Sequence, residues 1–185
     1  MRVIAGLSGG IQLTVPKTFT RPTTDRVREA VFSSLGLRIA DATVLDLFAG
    51  TGSLGIESLS RGAKSALFVE ENRNACEIIT ANLTKTKLSE NATLRKTDVE
   101  SFIKRLSSEA TFDLIFADPP YARDEETTEL LENLLNFENL AQSLKPDSLF
   151  VLETLARNPL PETPLWTVQK EKKYGDTRIS FLARS

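Results

Sequence analysis

The sequence contains no histidine and a single cysteine, Cys76. Without histidine, Ser-His-Asp hydrolysis, imidazole ligation of metals and the commonest general base are excluded. One cysteine rules out an internal disulfide, fits a reducing compartment, and would oblige a zinc site to use an unusual ligand set, so no metal is expected. No apolar run approaches the roughly 18 residues that span a bilayer. The start, Met1-Arg2-Val3-Ile4-Ala5-Gly6, lacks the apolar stretch of a signal peptide. A cytoplasmic protein with no membrane partner is the expectation. Its chemistry must come from carboxylates, backbone groups or a bound cofactor.

What is present is an ordinary globular composition, 41% hydrophobic and 26% charged. A chain of 185 residues suggests one domain, able to bury roughly 70% of its unfolded surface. The charge is uneven. Residues 1–40 carry six Lys/Arg against two Asp/Glu, and residues 166–185 five against two, which leaves an acidic body between basic ends. Those ends form an electrostatic footprint for nucleic acid if they meet in space; otherwise they are solvated surface charge.

Two short β-like runs, Arg2–Ala5 and Ile11–Val15, flank Ser8-Gly9-Gly10 as in a hairpin. Thr24 or Asp25 can cap a helix whose apolar face is Val27, Ala30, Val31, Ser34 and Leu35, with Gly36 ending it. Arg26 and Arg28 lie off that face, so they and Arg21 are expected on the surface. From Thr43 the chain alternates. Strands are expected at Thr43–Phe48, Ser65–Glu70, Ala92–Thr97, Phe112–Ala117 and Ser148–Thr154. Helices are expected at Ser53–Arg61, Asn72–Lys85, Val99–Leu106 and about 125–143. This βαβα order predicts a parallel sheet with helices on both faces. After a loop holding Pro159, Pro161 and Pro164, Leu165–Lys173 and Thr177–Ala183 read as an antiparallel hairpin turning through Tyr174-Gly175-Asp176.

Between the first strand and its helix, Asp46-Leu47-Phe48-Ala49-Gly50-Thr51-Gly52-Ser53-Leu54-Gly55 contains a G-x-G-x-x-G. Gly50 and Gly52 permit a tight turn and close approach of a ligand, and Gly55 lets the helix lie near the sheet. Glu70, 20 residues past Gly50 at the next strand end, can accept ribose hydroxyls. The alternative is a purely structural turn. Asp46 at the end of the leading strand would repel a pyrophosphate. It suits a ligand bearing cations, such as the ammonium and sulfonium of S-adenosylmethionine, unless it merely forms the turn. Asp98 can accept from an adenine amino group, with the Val99 N–H toward a ring nitrogen; it can also cap the following helix.

The second constellation is Ala117-Asp118-Pro119-Pro120-Tyr121. Two prolines cannot continue a central strand, so the strand before them must stop. They leave a stiff loop at the edge where open α/β sheets bind ligands. The Asp118 carboxylate and the Pro119 carbonyl match the two hydrogens of an exocyclic amine, and Tyr121 can stack on the ring that carries it.

The loop resembles the (Asp/Asn)-Pro-Pro-(Tyr/Phe) signature of class I methyltransferases that act on amino groups. Together with Arg21-Pro22-Thr23-Thr24-Asp25-Arg26-Val27-Arg28-Glu29, Asp46 through Gly55 and Arg61-Gly62-Ala63, the chain resembles the bacterial RsmD family over nearly its whole length. The resemblance implies a Rossmann-like fold, with a mainly parallel seven-stranded sheet whose last strand is antiparallel, preceded by an N-terminal hairpin and helix. It implies one domain over 1–185, in which residues 1–40 face RNA and 41–185 form the catalytic core. It also implies S-adenosylmethionine as donor, the N2 of a guanine in 16S ribosomal RNA as acceptor, small-subunit assembly particles as substrate, and a monomeric enzyme. Carried across, Asp46, Phe48, Ala49, Gly50, Gly52, Glu70, Asp98 and Val99 line the cofactor site, and Asp118, Pro119, Pro120 and Tyr121 hold the guanine. Arg21, Arg26 and Arg28 sit near the RNA. One departure is that Ser8-Gly9-Gly10-Ile11-Gln12 stands where the family has a basic hairpin turn; this leaves more of the RNA grip to the arginines and to Lys172 and Lys173.

Three other readings are distinguishable. An adenine-N6 or protein-glutamine methyltransferase would use the same loop on another substrate. A nicotinamide-dependent dehydrogenase would use the glycine turn, against which Asp46 and the missing histidine argue. A non-catalytic RNA-binding protein would retain only the fold.

Overall fold

The computed structural model describes residues 1–16, 24–107, 109, 111–120 and 124–185, with the backbone alone at 124–127. Of the residues singled out above, Arg21 and Tyr121 lie outside the described set. Seven strands form one sheet: β1 (Thr43–Leu47), β2 (Ser65–Glu70), β3 (Ala92–Lys96), β4 (Phe112–Ala117), β5 (Leu144–Leu155), β6 (Trp166–Tyr174) and β7 (Thr177–Arg184). Their order is β3-β2-β1-β4-β5-β7-β6. β1 through β5 pair in parallel, and β7 runs antiparallel to both neighbours. The order reverses between β1 and β4, the position at which such sheets open a crevice.

The helices are α1 (Asp25–Leu35), α2 (Ser53–Ser60), α3 (Arg73–Thr86), α4 (Val99–Lys104), α5 (Asp124–Leu135) and α6 (Glu138–Ser143). They cover two faces because side chains of the buried strands alternate. Val44, Leu114 and Phe116 join one cluster with α1, α2 and α3, while Leu45, Ile115 and Ala117 join the other with α4, α5 and α6. Among the described residues no helix is long and apolar enough to cross a membrane.

Several boundaries differ from expectation. The expected helix at about 125–143 is two helices, broken at Asn136 and Phe137. The fifth strand begins at Leu144, because a register shift between Phe112 and Leu114 absorbs the residues before Leu149. The N-terminal hairpin forms without regular strands: Arg2 bridges Gln12, and the N–H groups of Val3, Gly10 and Leu13 donate to the carbonyls of Ile11, Val3 and Met1 at 3.0, 2.8 and 3.1 Å. Its backbone is also tied to α2: Ile4 and Ala5 donate to the Glu57 carboxylate at 2.7 and 3.1 Å, and Leu7 donates to the Ser60 carbonyl at 2.7 Å. Gly6 permits this approach, since a Cβ there would overlap the Ser60 carbonyl and its φ is +84°.

The buried face of α1 is rotated relative to the expected one. Val27, Arg28, Val31, Phe32 and Leu35 are buried. Phe32, the largest apolar side chain in the helix, sets the face by packing against Phe116 with ring centroids 5.8 Å apart. Arg28 lies one turn before it and is carried inside.

Candidate active site

Leu47 and Ala117, the last residues of β1 and β4, are paired in register. The glycine turn and the Asp118 loop therefore leave the sheet side by side. In the turn, Phe48, Gly50 and Gly52 all have positive φ, at 55°, 55° and 75°. A phenylalanine in the left-handed region is uncommon and carries strain of order 1 kcal/mol or more. Gly52 N–H donates to the Ala49 carbonyl at 2.7 Å and Gly52 then caps α2. At Gly55 a Cβ would collide with the Phe68 ring and stand 3.1 Å from Asp46 Oδ2. The glycine lets α2 settle onto β2 and lets Asp46 reach under the helix.

Asp46 is buried, and its Oδ2 accepts from the Gly55 N–H at 2.9 Å. Burial raises its carboxyl from 3.8 to about 7; the Gly55 hydrogen bond opposes this, and the charge of Glu70 adds to it. The side chain underlies the turn. It forms the turn and places a carboxyl near the ligand edge. Glu70 closes the 20-residue spacing physically: Oε2 accepts from the Gly50 N–H and Oε1 from the Asn72 N–H, each at 2.8 Å. The acid expected to hold a ribose clamps the turn to the end of β2. Asn82, fully buried, adds a tie that the sequence did not signal, donating to the carbonyls of Thr14 and Thr51 at 3.0 Å.

Asp98 caps α4, with Oδ1 accepting from the Ser101 N–H at 2.8 Å. That hydrogen bond holds its exposed carboxyl below the ordinary value. Val99 is buried as the first residue of the helix. Asp46, Glu70 and Asp98 thus stand on or just past β1, β2 and β3, a row along one edge. Asp118 is partly buried, Pro119 is buried and Pro120 exposed.

The basic residues divide. Arg28, assigned to the surface by helical spacing, is fully buried; its Nη2 donates to the Arg2 carbonyl at 2.6 Å and to Asp25 at 2.7 Å. The correction follows from Phe32, which the expected face had omitted in favour of Ser34. Lys172 donates to Ser34 Oγ at 2.9 Å and so ties β6 to α1. Arg26 and Lys173 are exposed, and they line one groove with Thr24, Val27, Tyr174 and Gly175. The basic ends of the chain do meet. Tyr174 was read only as part of a turn, and nothing in its spacing marked it.

A parallel sheet with one reversed strand, a glycine turn at its switch point and an Asp-Pro-Pro corner beside that turn define a class I methyltransferase. The comparisons agree. A family model described as Conserved hypothetical protein 95 matches residues 1–183. Ribosomal RNA small subunit methyltransferase D of Escherichia coli K12 is 37% identical, across 100% of this chain and 90% of its own length. The protein of that name from Haemophilus influenzae is 37% identical over 95% and 89%. The solved structure of Escherichia coli yhhF superposes with a TM-score of 0.85 at 35% identity, covering 100% of this chain and 98% of that one. The chain belongs to the RsmD family of methyltransferases.

Proposed function

We propose that the protein transfers a methyl group from S-adenosyl-L-methionine to the exocyclic N2 amine of a guanine in 16S ribosomal RNA. The observation that carries this reading is the register pair Leu47–Ala117, which puts the glycine turn and the Asp-Pro-Pro corner on adjacent strand ends. The names of the full-length relatives support the RNA substrate.

The residues fit the donor. Gly50 leaves the turn without a side chain where a ligand would lie on it, and at Gly52 a Cβ would press on Ile56 and Ile79 at 3.3 Å. Beneath it, Asp46 is pushed toward neutrality by burial and by Glu70, so the pair favours a neighbouring positive charge. Glu70 would hold the ribose, Asp98 and Val99 the adenine, and Phe48 and Ala49 the floor of the turn. When bound, the donor supplies an electrophilic methyl on a sulfonium centre. The protein's own task is positioning, which can contribute up to ~7–11 kcal/mol. The Asp118 carboxylate and the Pro119 carbonyl accept the two amine hydrogens and direct the nitrogen lone pair at the reacting carbon. Asp118 need be no stronger than an ordinary carboxylate, in keeping with a chain that lacks histidine. Tyr121 is assigned to stacking on the guanine by the sequence motif alone. In this reading residues 1–185 are one domain whose first 40 residues face the RNA, Arg21, Arg26, Lys172 and Lys173 supply its positive surface, and the enzyme works as a cytoplasmic monomer on assembling small subunits.

The test is transfer of labelled methyl from the donor to small-subunit particles prepared from cells lacking the protein, followed by nucleoside mass spectrometry. One new N2-methylguanosine in 16S RNA is expected. Labelled N6-methyladenosine or a labelled protein would move the assignment to the adenine or glutamine alternative, and no transfer at all would overturn it.

A further inference from the structure

The groove that joins the two ends of the chain has a position and a chemistry of its own. β5 is parallel to β4, with Ala117 opposite Leu152, so Leu155 lies at the same sheet edge as Asp118. β7 begins opposite that residue, Thr177 with Leu155, and the turn is fixed there by the Ala156 N–H donating to the Asp176 carbonyl at 2.7 Å. The Tyr174-Gly175 corner therefore stands on the edge that carries the reacting loop. α1 reaches the same edge from the other side. Its carboxyl end leads to the start of β1, and Arg38, just beyond it, donates to the Asp147 carbonyl before the main pairing of β5. Its first turn, with Thr24 and Arg26, accordingly points back toward the edge of Asp118.

Between these two elements the groove encloses about 370 Å³, within the ~300–1,000 Å³ range of small-ligand sites. Its lining combines two exposed cations, Arg26 and Lys173, with one aromatic ring, that of Tyr174. Tyr174 is half-buried, packing against the core cluster while it lines the groove. Of the nearby carboxylates, Asp25 bonds Arg28 at 2.7 Å, and Glu171 lies nearer to Arg178, at 3.5 Å, than to Lys173, at 3.9 Å, so Lys173 is only loosely paired. A ring flanked by cations is the arrangement that holds a single-stranded nucleotide, with the base on the ring and its phosphate on the charges.

We infer that this groove is a subsite for one unpaired RNA nucleotide flanking the target guanine, with Tyr174 stacking on its base and Arg26 and Lys173 holding its phosphate. The inference rests on the RNA reading above and adds a residue and a role to it. A nucleotide pinned here, on the same edge as Asp118, would help keep the target displaced from its own stack. Tyr174 thus acts on substrate binding, while the reacting atoms remain with the Asp118 corner.

The experiment compares wild type, Tyr174→Leu, Tyr174→Phe and the double variant Arg26→Gln/Lys173→Gln. The readouts are KM and kcat for methyl transfer to small-subunit particles at several salt concentrations, and calorimetric donor affinity. Loss of one base–aromatic stack should raise KM about tenfold in Tyr174→Leu, with kcat and donor affinity within about twofold, whereas Tyr174→Phe should behave as wild type. The double variant should flatten the dependence of log KM on log salt by roughly one phosphate contact's worth, about 0.7 for a single strand. An unchanged KM in a Tyr174→Leu protein that still binds donor overturns the stacking role. Should that variant fail to fold, an unchanged salt slope in the double variant, both of whose positions are exposed, overturns the subsite. These failures differ from failure of the parent reading, in which wild type itself methylates no ribosomal RNA and the subsite falls with it.

Discussion

Leu47 and Ala117 are cross-strand partners at the carboxyl ends of β1 and β4. Neighbouring strands stand about 4.8 Å apart, so the residues that follow each of them begin within one strand spacing. The chain separates these positions by some 70 residues, and three helices and two strands intervene. Their meeting is a consequence of strand order, because β4 takes the place beside β1 that chain order would give to β2 alone. The glycine turn and the Asp118 corner are thus held by the most buried part of the sheet, where Leu45, Leu47, Ile115 and Phe116 are fully enclosed.

Asp118→Ala should separate binding from chemistry. In the proposed site the donor lies on the glycine turn with Glu70 and Asp98, so calorimetric donor affinity should change little. Turnover should fall by about a hundredfold or more, the effect expected of removing a group aimed at the reacting centre. Unchanged turnover would remove Asp118 from its role.

Glu70→Ala should loosen the turn itself. It leaves the buried Gly50 N–H without its 2.8 Å acceptor, at about 1–3 kcal/mol for an unsatisfied buried donor, while the exposed Asn72 N–H can turn to water. If the same carboxylate also holds the ribose, donor affinity drops by at least about tenfold while the folded protein persists. Calorimetry paired with thermal unfolding checks both parts. A donor affinity equal to wild type would confine Glu70 to the turn.

Asp46 gives the protein a pH dependence of definite sign. Its folded carboxyl, raised to about 7 chiefly by burial, holds a proton that the unfolded chain releases near 3.8. The stability it contributes is complete below the unfolded value and is lost as pH rises through about 7. A shift of some three units corresponds to an upper bound of roughly 4 kcal/mol. Asp46→Asn keeps an acceptor for Gly55 and cannot ionise. Denaturant midpoints measured from pH 4 to 8 should therefore fall with pH in wild type and stay flatter in the variant. Donor affinity should weaken in the variant, which lacks the charge. Parallel pH profiles would show that Asp46 does not titrate in this window.

Much of this architecture was legible in the sequence. The parallel strands declared themselves as short apolar runs closed by turn residues, and both site motifs sit at strand ends because glycine and proline end strands for steric reasons. Helix faces were harder. The spacing of α1 admitted two stripes, and only the packing of Phe32 on Phe116 selects the one that buries Arg28. The amino-terminal hairpin was legible but its attachment to α2 was not, because those partners lie more than 50 residues away and no local period encodes them. Glu57 could have been suspected: a charged residue amid the apolar positions of a short helix must find a partner, and Arg61 stands four residues on.

Glu57 carries the last prediction. It is fully buried and accepts from Ile4, from Ala5 and, at 2.6 Å, from Arg61 Nε. Arg61 in turn lies over the Phe32 ring, 4.9 Å from its centroid, and Phe32 packs on Phe116 of β4. One carboxylate therefore fastens the first residues of the chain to the helix that caps the glycine turn. It also braces the strand that ends at Ala117, next to Asp118. Removing it strands two backbone donors and a cation that is only about one-fifth exposed. Because Arg61 can still reach water, the loss should fall below the 3–5 kcal/mol seen for fully buried pairs, at about 2–3 kcal/mol. Glu57→Ala should lower the unfolding midpoint accordingly and expose the amides of Ile4 and Ala5 to hydrogen exchange, while donor affinity falls far less than in Glu70→Ala. Protection of those two amides equal to wild type would mean that the segment is held by its apolar contacts, through Val3 and Leu13, and not by the carboxylate.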